Sequence, residues 1–233
     1  MGSIAVITAR GGSKRIPRKN IRKFCGKPII AYSIEVALAS HEFDEVMVST
    51  DDEEIKEIAI QYGASVPFMR SEKASNDYAT TYEVLLEVLD MYKTRGMEFE
   101  YLCCIYPTAP LITIDNLKKA MHMLQCENLD NVLPVVQFSF PPQRGFVIRD
   151  GNVVFQWPEN ALMRSQDLAP MYHDAGQFYC VNVESFVQSH SLIGGYTKPI
   201  ILNDLEVQDI DNESDWKIAE FKYQYLHNNK AYM

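Results

Sequence analysis

Residues 4–14, IAVITARGGSK, join a short apolar run to a basic loop that contains two adjacent glycines. The continuous apolar run at residues 4–8 is typical of a buried strand. Glycines let backbone N–H groups approach an anion closely, and Arg10 and Lys14 add positive charge beside them. The stretch therefore predicts a strand that ends in a phosphate-binding loop, although it has neither the Walker nor the GxGxxG spacing.

Strand and helix patterns alternate from this stretch onward. Four further apolar runs predict strands, at residues 46–49, 65–68, 101–106 and 132–137. Helical spacing or helix caps predict the helices between them, at residues 28–40, 53–62, 80–95 and 115–126. This alternation requires parallel strands joined by helical crossovers, with ligands at the carboxyl ends of the strands. We predict an α/β fold with a mostly parallel sheet.

Residues 138–173 interrupt the alternation. A hairpin turn signal, Asp150-Gly151, separates two apolar segments there. A hairpin this apolar does not stand alone in water, so it covers a core of its own or packs on another subunit. We predict an arm inserted into a single domain that spans residues 1–233. After the arm the pattern predicts two strands and a helix, at residues 177–182, 199–202 and 216–225.

Charge is distributed unevenly along the chain. The 233 residues carry a formal net charge of −9, but the first 34 hold eight bases and no acid. The bases are Arg10, Lys14, Arg15, Arg18, Lys19, Arg22, Lys23 and Lys27. The remaining residues have a net charge of −17. An acidic protein with one basic end argues against a general nucleic-acid coat protein and indicates a localised anion site.

Composition is that of an ordinary globular protein, with 47% apolar and 23% charged residues. No apolar run is long enough for a membrane-spanning helix, and the bases follow the first apolar run instead of preceding it, unlike in a signal peptide. The five cysteines lack metal-type spacing. We therefore predict a cytoplasmic protein with free thiols, binding neither membrane nor nucleic acid.

Asp209 and Asp211 form a second candidate site. Side chains two residues apart in an extended segment share one face, and two carboxylates repel each other unless a cation lies between them. Such hard oxygen ligands beside a triphosphate suit Mg²⁺. A solvated acidic turn is the alternative interpretation. Asp51-Asp52 is a rival pair, but its place between a strand and a helix also fits a helix cap.

Residues 9–21, ARGGSKRIPRKNI, resemble the signature of the cytidylyltransferases that activate nine-carbon keto acids, the CMP-sialic acid synthetase family. Shorter matching motifs extend the resemblance over essentially the whole chain, namely GKP at 26–28, VSTDD at 48–52, PTAP at 107–110 and DID at 209–211. Residues 103–110 and 173–179 are most similar to the members that act on pseudaminic acid. The sialic and legionaminic acid enzymes typically carry Gln where this chain has Tyr106, which favours pseudaminic acid.

The resemblance implies transfer of CMP from CTP to the anomeric hydroxyl of a nine-carbon 2-keto sugar acid, with release of pyrophosphate. It implies a Rossmann-like three-layer α/β/α sandwich of the nucleotide-diphospho-sugar transferase type. It further implies Mg²⁺ as cofactor, bound by Asp209 and Asp211, and a homodimer in which the arm of residues 138–173 reaches over the partner's active site. The proton acceptor for the attacking hydroxyl is left open between Asp211 and a metal-bound hydroxide.

Roles for individual residues follow from the same resemblance. The CTP site would comprise Ala9, Arg10, Gly11, Gly12, Ser13, Lys14, Asn20, Arg70, Ala79 and Thr81. The sugar pocket would be lined by Tyr106, Asp174 and Gln177. The catalytic residues would be Arg10, Lys14 and Asp211. In such a dimer Arg144 or Arg164 could meet the sugar acid of the neighbouring subunit, and an ordinary exposed arginine is the alternative interpretation of either. Thr81 also fits a plain helix N-terminus, and Tyr106 a plain strand end.

Two other functions stay open at this point. One is the same reaction on a sialic, legionaminic or other keto acid. The other is a non-catalytic polyphosphate- or RNA-binding protein that uses only the basic loop. Such a binder needs neither the carboxylate pair nor the PTAP turn at 107–110 nor the second loop at 70–81.

Overall fold

The structure is a computed structural model that describes residues 2–228. Its strands are β1 (Gly2–Thr8), β2 (Lys23–Phe24), β3 (Lys27–Pro28), β4 (Glu45–Ser49), β5 (Phe99–Ile105), β6 (Asn131–Gln137), β7 (Phe146–Arg149), β8 (Asn152–Phe155), β9 (Tyr172–Asp174), β10 (Phe178–Asn182) and β11 (Thr197–Leu202). Its α-helices are α1 (Ile29–Ser40), α2 (Glu53–Gln61), α3 (Glu72–Ser75), α4 (Thr81–Lys93), α5 (Ile114–Cys126), α6 (Val183–Ser189) and α7 (Glu213–Asn228).

A central sheet runs in the order β11-β6-β10-β5-β1-β4, with β9 paired to β6 as a seventh strand. Strand β1 is parallel to β4 and β5, and β11 is parallel to β6. Strand β10 is antiparallel to β5 and β6, and β9 is antiparallel to β6. The predicted mostly parallel sheet is confirmed, and its antiparallel strands are the two that follow the arm.

Helices cover both faces of the sheet because the central strands are apolar on both. In β1, Ala5 and Ile7 belong to a buried cluster with residues of α1, α2 and α5. Ile4 and Val6 belong to a cluster with residues of α4 and α6 on the other face. Successive strand residues point to opposite faces, so one strand supports both layers. The expected three-layer α/β/α sandwich is confirmed.

A third apolar cluster joins the N-terminal basic loop to the C-terminal helix α7. Its centre is Trp216, 2% exposed, whose ring meets the Phe24 ring edge to face at 5.5 Å. Ile16 of the basic loop and Ile210, between the two aspartates, are both buried in it. Burial of large apolar side chains stabilises this arrangement and holds the basic loop beside the Asp209–Asp211 segment.

Some elements differ from the sequence predictions. The strand predicted at 65–68 is wrong, since within it only Ser65 forms an isolated bridge, to Met47; Pro67 lacks the N–H that a continued ladder would need. The short strands β2, β3 and β9 and the seven-residue helix α6 were not predicted. Helix α6 starts directly after β10, where the Asn182 side chain caps it by accepting from the Ser185 N–H at 3.1 Å. Such short elements give little periodicity to detect.

The arm leaves the sheet between β6 and β9. Strands β7 and β8 form the predicted hairpin as a separate two-stranded sheet, with Ile148 opposite Val153. The ends of the arm lie side by side, because the Phe138 N–H donates to the Met171 carbonyl at 3.0 Å. Within residues 2–228, no helix is both long and apolar enough to cross a membrane.

Candidate active site

A cleft of about 410 Å³ lies at the carboxyl ends of β1 and β5. These strands are parallel neighbours, so the segments that follow them meet at one edge of the sheet. The cleft is lined by Thr8, Arg10, Ser13, Lys14, Arg15, Ile16, Lys19, Asn20, Tyr106, Pro107 and Thr108. It therefore brings together Arg10, Ser13, Lys14, Asn20 and Tyr106 from the residues predicted for the CTP and sugar sites.

The basic loop is held in shape by contacts at its two ends. Asn20 is buried, and its side-chain amide donates to the Arg10 carbonyl at 2.8 Å. The Gly11 N–H donates to Asp51 Oδ1 at 2.9 Å. A Cβ on Gly11 would lie 2.6 Å from Asp52 Oδ2, whereas a Cβ on Gly12 would meet nothing within 4 Å. Gly11 thus permits close packing on α2, and Gly12 leaves room for a ligand.

The rival carboxylate pair Asp51-Asp52 has structural roles. Asp52 caps α2 by accepting from the Ile55 N–H at 3.0 Å, and it pairs with the Arg18 guanidinium. The Arg18 contact holds the pKa of Asp52 below its usual value. Because Asp51 also binds the Gly11 N–H, these carboxylates fasten the basic loop to α2. The helix-cap interpretation is confirmed for Asp52.

Two cations of the basic loop converge on one carboxylate of the second loop. Arg10 Nη1 lies 3.1 Å from Asp77 Oδ1, and the Lys14 ammonium contacts the other oxygen of Asp77. The hydrogen bond and charge of Lys14, followed by Arg10, lower the pKa of Asp77. The second loop therefore faces the basic loop. Sequence analysis did not identify Asp77, whose partners lie more than 60 positions away.

The Asp209–Asp211 segment borders the same cleft. Arg15 Nη1 lies 2.6 Å from Asp211 Oδ2, and Lys19 Nζ donates to the Ile210 carbonyl at 2.8 Å. Both cations line the cleft. The Asp215 carboxylate accepts from the backbone N–H of Asp211 at 2.9 Å and so fixes the turn that precedes α7. Arg15 and Lys19 were not predicted as site residues; their place in the basic run was the only sequence signal.

Two carboxylates and two cations lie close together in this segment. Partial desolvation and the negative charge of Asp211 raise the pKa of Asp209. Burial lowers the pKa of Lys19, although both carboxylates oppose that shift. Among residues 2–228, no three His, Cys, Asp or Glu side chains cluster as metal ligands. An ion held by Asp209 and Asp211 would take its other ligands from phosphate oxygens and water, which fits Mg²⁺.

A second set of polar groups lies where β5 meets β9 and β10. The Tyr106 N–H donates to the Gln177 carbonyl at 2.8 Å. The Tyr179 hydroxyl, on β10, donates to Asp174 Oδ2 at 2.5 Å, and the Gly176 N–H donates to Asp174 Oδ1 at 2.8 Å. The Tyr106 ring packs edge to face on the Tyr179 ring, with 5.5 Å between centroids. Tyr106 and Asp174, both predicted for the sugar pocket, are therefore connected through Tyr179, which was not predicted.

The sequence model of the family described as Cytidylyltransferase matches residues 4–219. The chain belongs to the cytidylyltransferase family. A pseudaminic acid cytidylyltransferase of Campylobacter jejuni is 39% identical over 230 residues, which cover 98% of this chain and 99% of that protein. The CMP-N,N'-diacetyllegionaminic acid synthase of Legionella pneumophila is 33% identical over 224 residues, 94% of this chain and 95% of that protein.

A solved structure also resembles this cytidylyltransferase. The structure of CMP:2-keto-3-deoxy-manno-octonic acid synthetase complexed with CTP aligns with a TM-score of 0.68 and 17% sequence identity. The alignment covers 98% of this chain and all of that chain. At this identity the likeness establishes a common fold, in agreement with the predicted nucleotidyltransferase type of α/β/α sandwich.

Three residues were predicted to contact cytosine, and each lies at a different place in the structure of the cytidylyltransferase. Arg70 is buried against β4, where its Nε donates to Ser49 Oγ at 2.9 Å, and burial lowers its pKa to about 10. Its guanidinium does not line the cleft. The Ala79 N–H donates to Asn76 Oδ1 at 3.0 Å. Thr81 opens α4 beside the capping residue Thr80. Their cytosine contacts stay predictions.

Other predicted side chains are engaged within the chain. Gln177 is buried and its amide donates to the Glu206 carbonyl, which ties β10 to the segment before Asp209. Arg164 pairs with Asp167 of its own arm at 2.8 Å, and Arg144 Nη1 lies 3.3 Å from Ser165 Oγ. Contacts from Gln177 to the sugar, and from either arginine to a neighbouring subunit, stay predictions.

Proposed function

We propose that this cytidylyltransferase transfers CMP from CTP to the anomeric hydroxyl of pseudaminic acid, a nine-carbon 2-keto sugar acid, and releases pyrophosphate. The observation that carries the proposal is the cleft at the ends of β1 and β5, where the basic loop faces the Asp209–Asp211 segment. The identity of 39% to a pseudaminic acid cytidylyltransferase over nearly all of both chains supports the choice of sugar.

The basic loop supplies the groups that a triphosphate requires. Arg10 and Lys14 would bind its phosphate oxygens, with Ser13 and the open backbone around Gly12 as further donors. As pyrophosphate leaves, negative charge grows on those oxygens, and fixed cations in the cleft stabilise it. Mg²⁺ held by Asp209 and Asp211 would neutralise further charge on the phosphates when it is bound. No protein nucleophile is needed, because the sugar hydroxyl attacks the α-phosphorus itself.

Pyrophosphate release tests this function. The protein is incubated with CTP, Mg²⁺ and one of several nine-carbon keto acids: pseudaminic, legionaminic and sialic acid. We expect release with pseudaminic acid at the highest kcat/KM. Release with sialic or legionaminic acid alone would mean that this acid, and not pseudaminic acid, is the substrate. No release with any acid, together with salt-sensitive binding of unrelated polyanions, would favour the non-catalytic binder.

We also propose that the protein acts in the cytoplasm, where CTP is made, and that two copies associate through the arm. One face of the β7–β8 hairpin is apolar and open, with Ile148 78% and Val153 66% exposed. Leu162 further along the arm is 99% exposed. A two-stranded hairpin with such a face gains stability only when another surface covers it. A second copy of this chain is the occupant that the sequence resemblance implies.

A charge placed on this face tests the dimer. Ile148→Glu would bury an uncompensated carboxylate in the interface, so we expect a dimer for the unmodified protein and a monomer for the variant in light scattering. Ile60→Glu is the control, because Ile60 is an exposed apolar residue of α2, outside the arm. A monomeric unmodified protein, or an Ile148→Glu variant that remains dimeric, would contradict the proposed interface.

A further inference from the structure

Tyr179 carries a rigidly placed hydroxyl to which the proposed reaction assigns no role. It lies in β10, which pairs with β5 on one side and β6 on the other. The residue is 4% exposed, and its ring packs against that of Tyr106 at 5.5 Å between centroids. A side chain packed this way in a central strand has little freedom to move. Its hydroxyl is therefore fixed relative to the carboxyl edge of the sheet.

The hydroxyl holds the Asp174 carboxylate from one side. Asp174 ends β9 and is exposed, and its two oxygens accept from the Tyr179 hydroxyl and the Gly176 N–H respectively. A carboxylate has about four acceptor positions, so these two contacts leave about two open. Exposure makes the open positions reachable from solvent. The result is a carboxylate that is oriented by the protein and still able to accept hydrogen bonds from a ligand.

We propose that Tyr179 is a positioning residue: its hydroxyl aims Asp174 at a hydroxyl or amide N–H of the sugar acid and thereby sets the affinity for that substrate. The assignment rests on the proposed function, because it takes the sugar acid as the ligand beside Tyr106. An ionised carboxylate only accepts hydrogen bonds, so it selects a sugar that presents a donor at this point. An acid with an acceptor or a bare C–H there would lose the contact.

The hydroxyl of Tyr179, and not only its ring, is needed for this role. Burial and the neighbouring Asp174 carboxylate raise the pKa of Tyr179, so the phenol keeps its proton at neutral pH and donates it. The ring of Tyr179 also packs on the Tyr106 ring, so one buried side chain contacts two residues predicted for the sugar pocket. Without the Tyr179 hydroxyl, only the Gly176 N–H would hold the Asp174 carboxylate, which would then adopt more than one orientation. Binding of the sugar acid would have to restrict the carboxylate to one of them.

Tyr179→Phe tests the proposal, since it removes the hydroxyl and keeps the ring. We expect KM for the sugar acid to rise by roughly tenfold or more, the usual scale for a hydrogen bond to a charged group, with KM for CTP changed less than about twofold. Asp174→Asn should raise KM for the sugar acid at least as much. If Tyr179 acts through Asp174, adding Tyr179→Phe to Asp174→Asn should cause little further loss.

Tyr92→Phe is the matched control. Tyr92 is also buried, belongs to the same apolar cluster as Tyr179, and donates to a carboxylate, Glu45, at 3.0 Å. It should change thermal stability like Tyr179→Phe but leave KM for the sugar acid unchanged. An unchanged KM for the sugar acid in Tyr179→Phe, or equal rises in KM for both substrates, would overturn the assignment of Tyr179 and leave the proposed function standing. No pyrophosphate release by the unmodified protein with any acid would remove the proposed function and this assignment with it.

Discussion

Asp211→Asn should lower the rate of Mg²⁺-dependent pyrophosphate release by roughly 100-fold or more, the scale on which loss of one electrostatic contact in an active site acts. The amide keeps the volume of the side chain but loses its charge, so the Asp209–Asp211 pair would hold a divalent cation less tightly. The concentration of Mg²⁺ that gives half the maximal rate should rise in parallel. The fold should persist, because the ion pair that is weakened, with Arg15, is exposed, and the backbone N–H that donates to Asp215 is kept.

Asp204→Asn is the control for this substitution. Asp204 belongs to the same acidic segment and is exposed. Its backbone carbonyl accepts from Lys222 Nζ and the Val207 N–H, whereas its carboxylate has no hydrogen bond or ion pair within residues 2–228. Its conversion to Asn removes one negative charge from the same region and should leave both the rate and the Mg²⁺ requirement unchanged. Full activity in Asp211→Asn, or equal losses in the two variants, would remove Asp211 from the metal site.

Lys14→Met should lower kcat by roughly 100-fold with a smaller effect on stability, since fixed cations that meet developing phosphate charge contribute on this scale. The side chain of Lys14 is 75% exposed, so its ammonium contributes little to the free energy of unfolding. Methionine keeps most of the aliphatic length without the charge. The measurement is the steady-state rate of pyrophosphate release at saturating CTP and sugar acid, with the thermal unfolding temperature recorded for the same samples.

Lys23→Met controls for the general positive charge of the N-terminal segment. Lys23 is exposed in β2 and does not line the cleft. Its loss removes one of the same eight bases, so it should leave kcat within about twofold, as an exposed charge distant from the reaction would. A similar loss of rate in both variants would mean that net charge, and not the placement of Lys14, matters.

Much of the fold was predictable because local patterns agree with the tertiary structure. The apolar run at residues 4–8 forms β1, and Asp52 caps α2, as its place between a strand and a helix indicates. The carboxyl ends of β1 and β5 then had to meet, which placed the basic loop beside Tyr106. The strand predicted at 65–68 was wrong because the prediction rested on the apolar run and gave no weight to Pro67, which cannot donate to a continued ladder.

The parts of the site that could not be predicted depend on contacts between distant residues. The pairing of Arg10 and Lys14 with Asp77, and of Arg15 with Asp211, joins loops that follow different strands. Packing of Ile16 and Ile210 in one cluster brings Arg15 near Asp211, and a sequence does not display that packing. Tyr179 was missed for a similar reason, since an aromatic residue in a buried strand looks like ordinary core.

The closeness of the two ends of the arm has a consequence for engineering and for divergence. The main-chain hydrogen bond from the Phe138 N–H to the Met171 carbonyl holds the two ends of the arm so close that a short turn could join them. We therefore expect that the segment between these ends can be shortened, lengthened or exchanged for the arm of a relative while β6 and β9 keep their register. The proposed association of two copies through the arm could in this way be redesigned, or drift over time, without altering the residues that line the cleft.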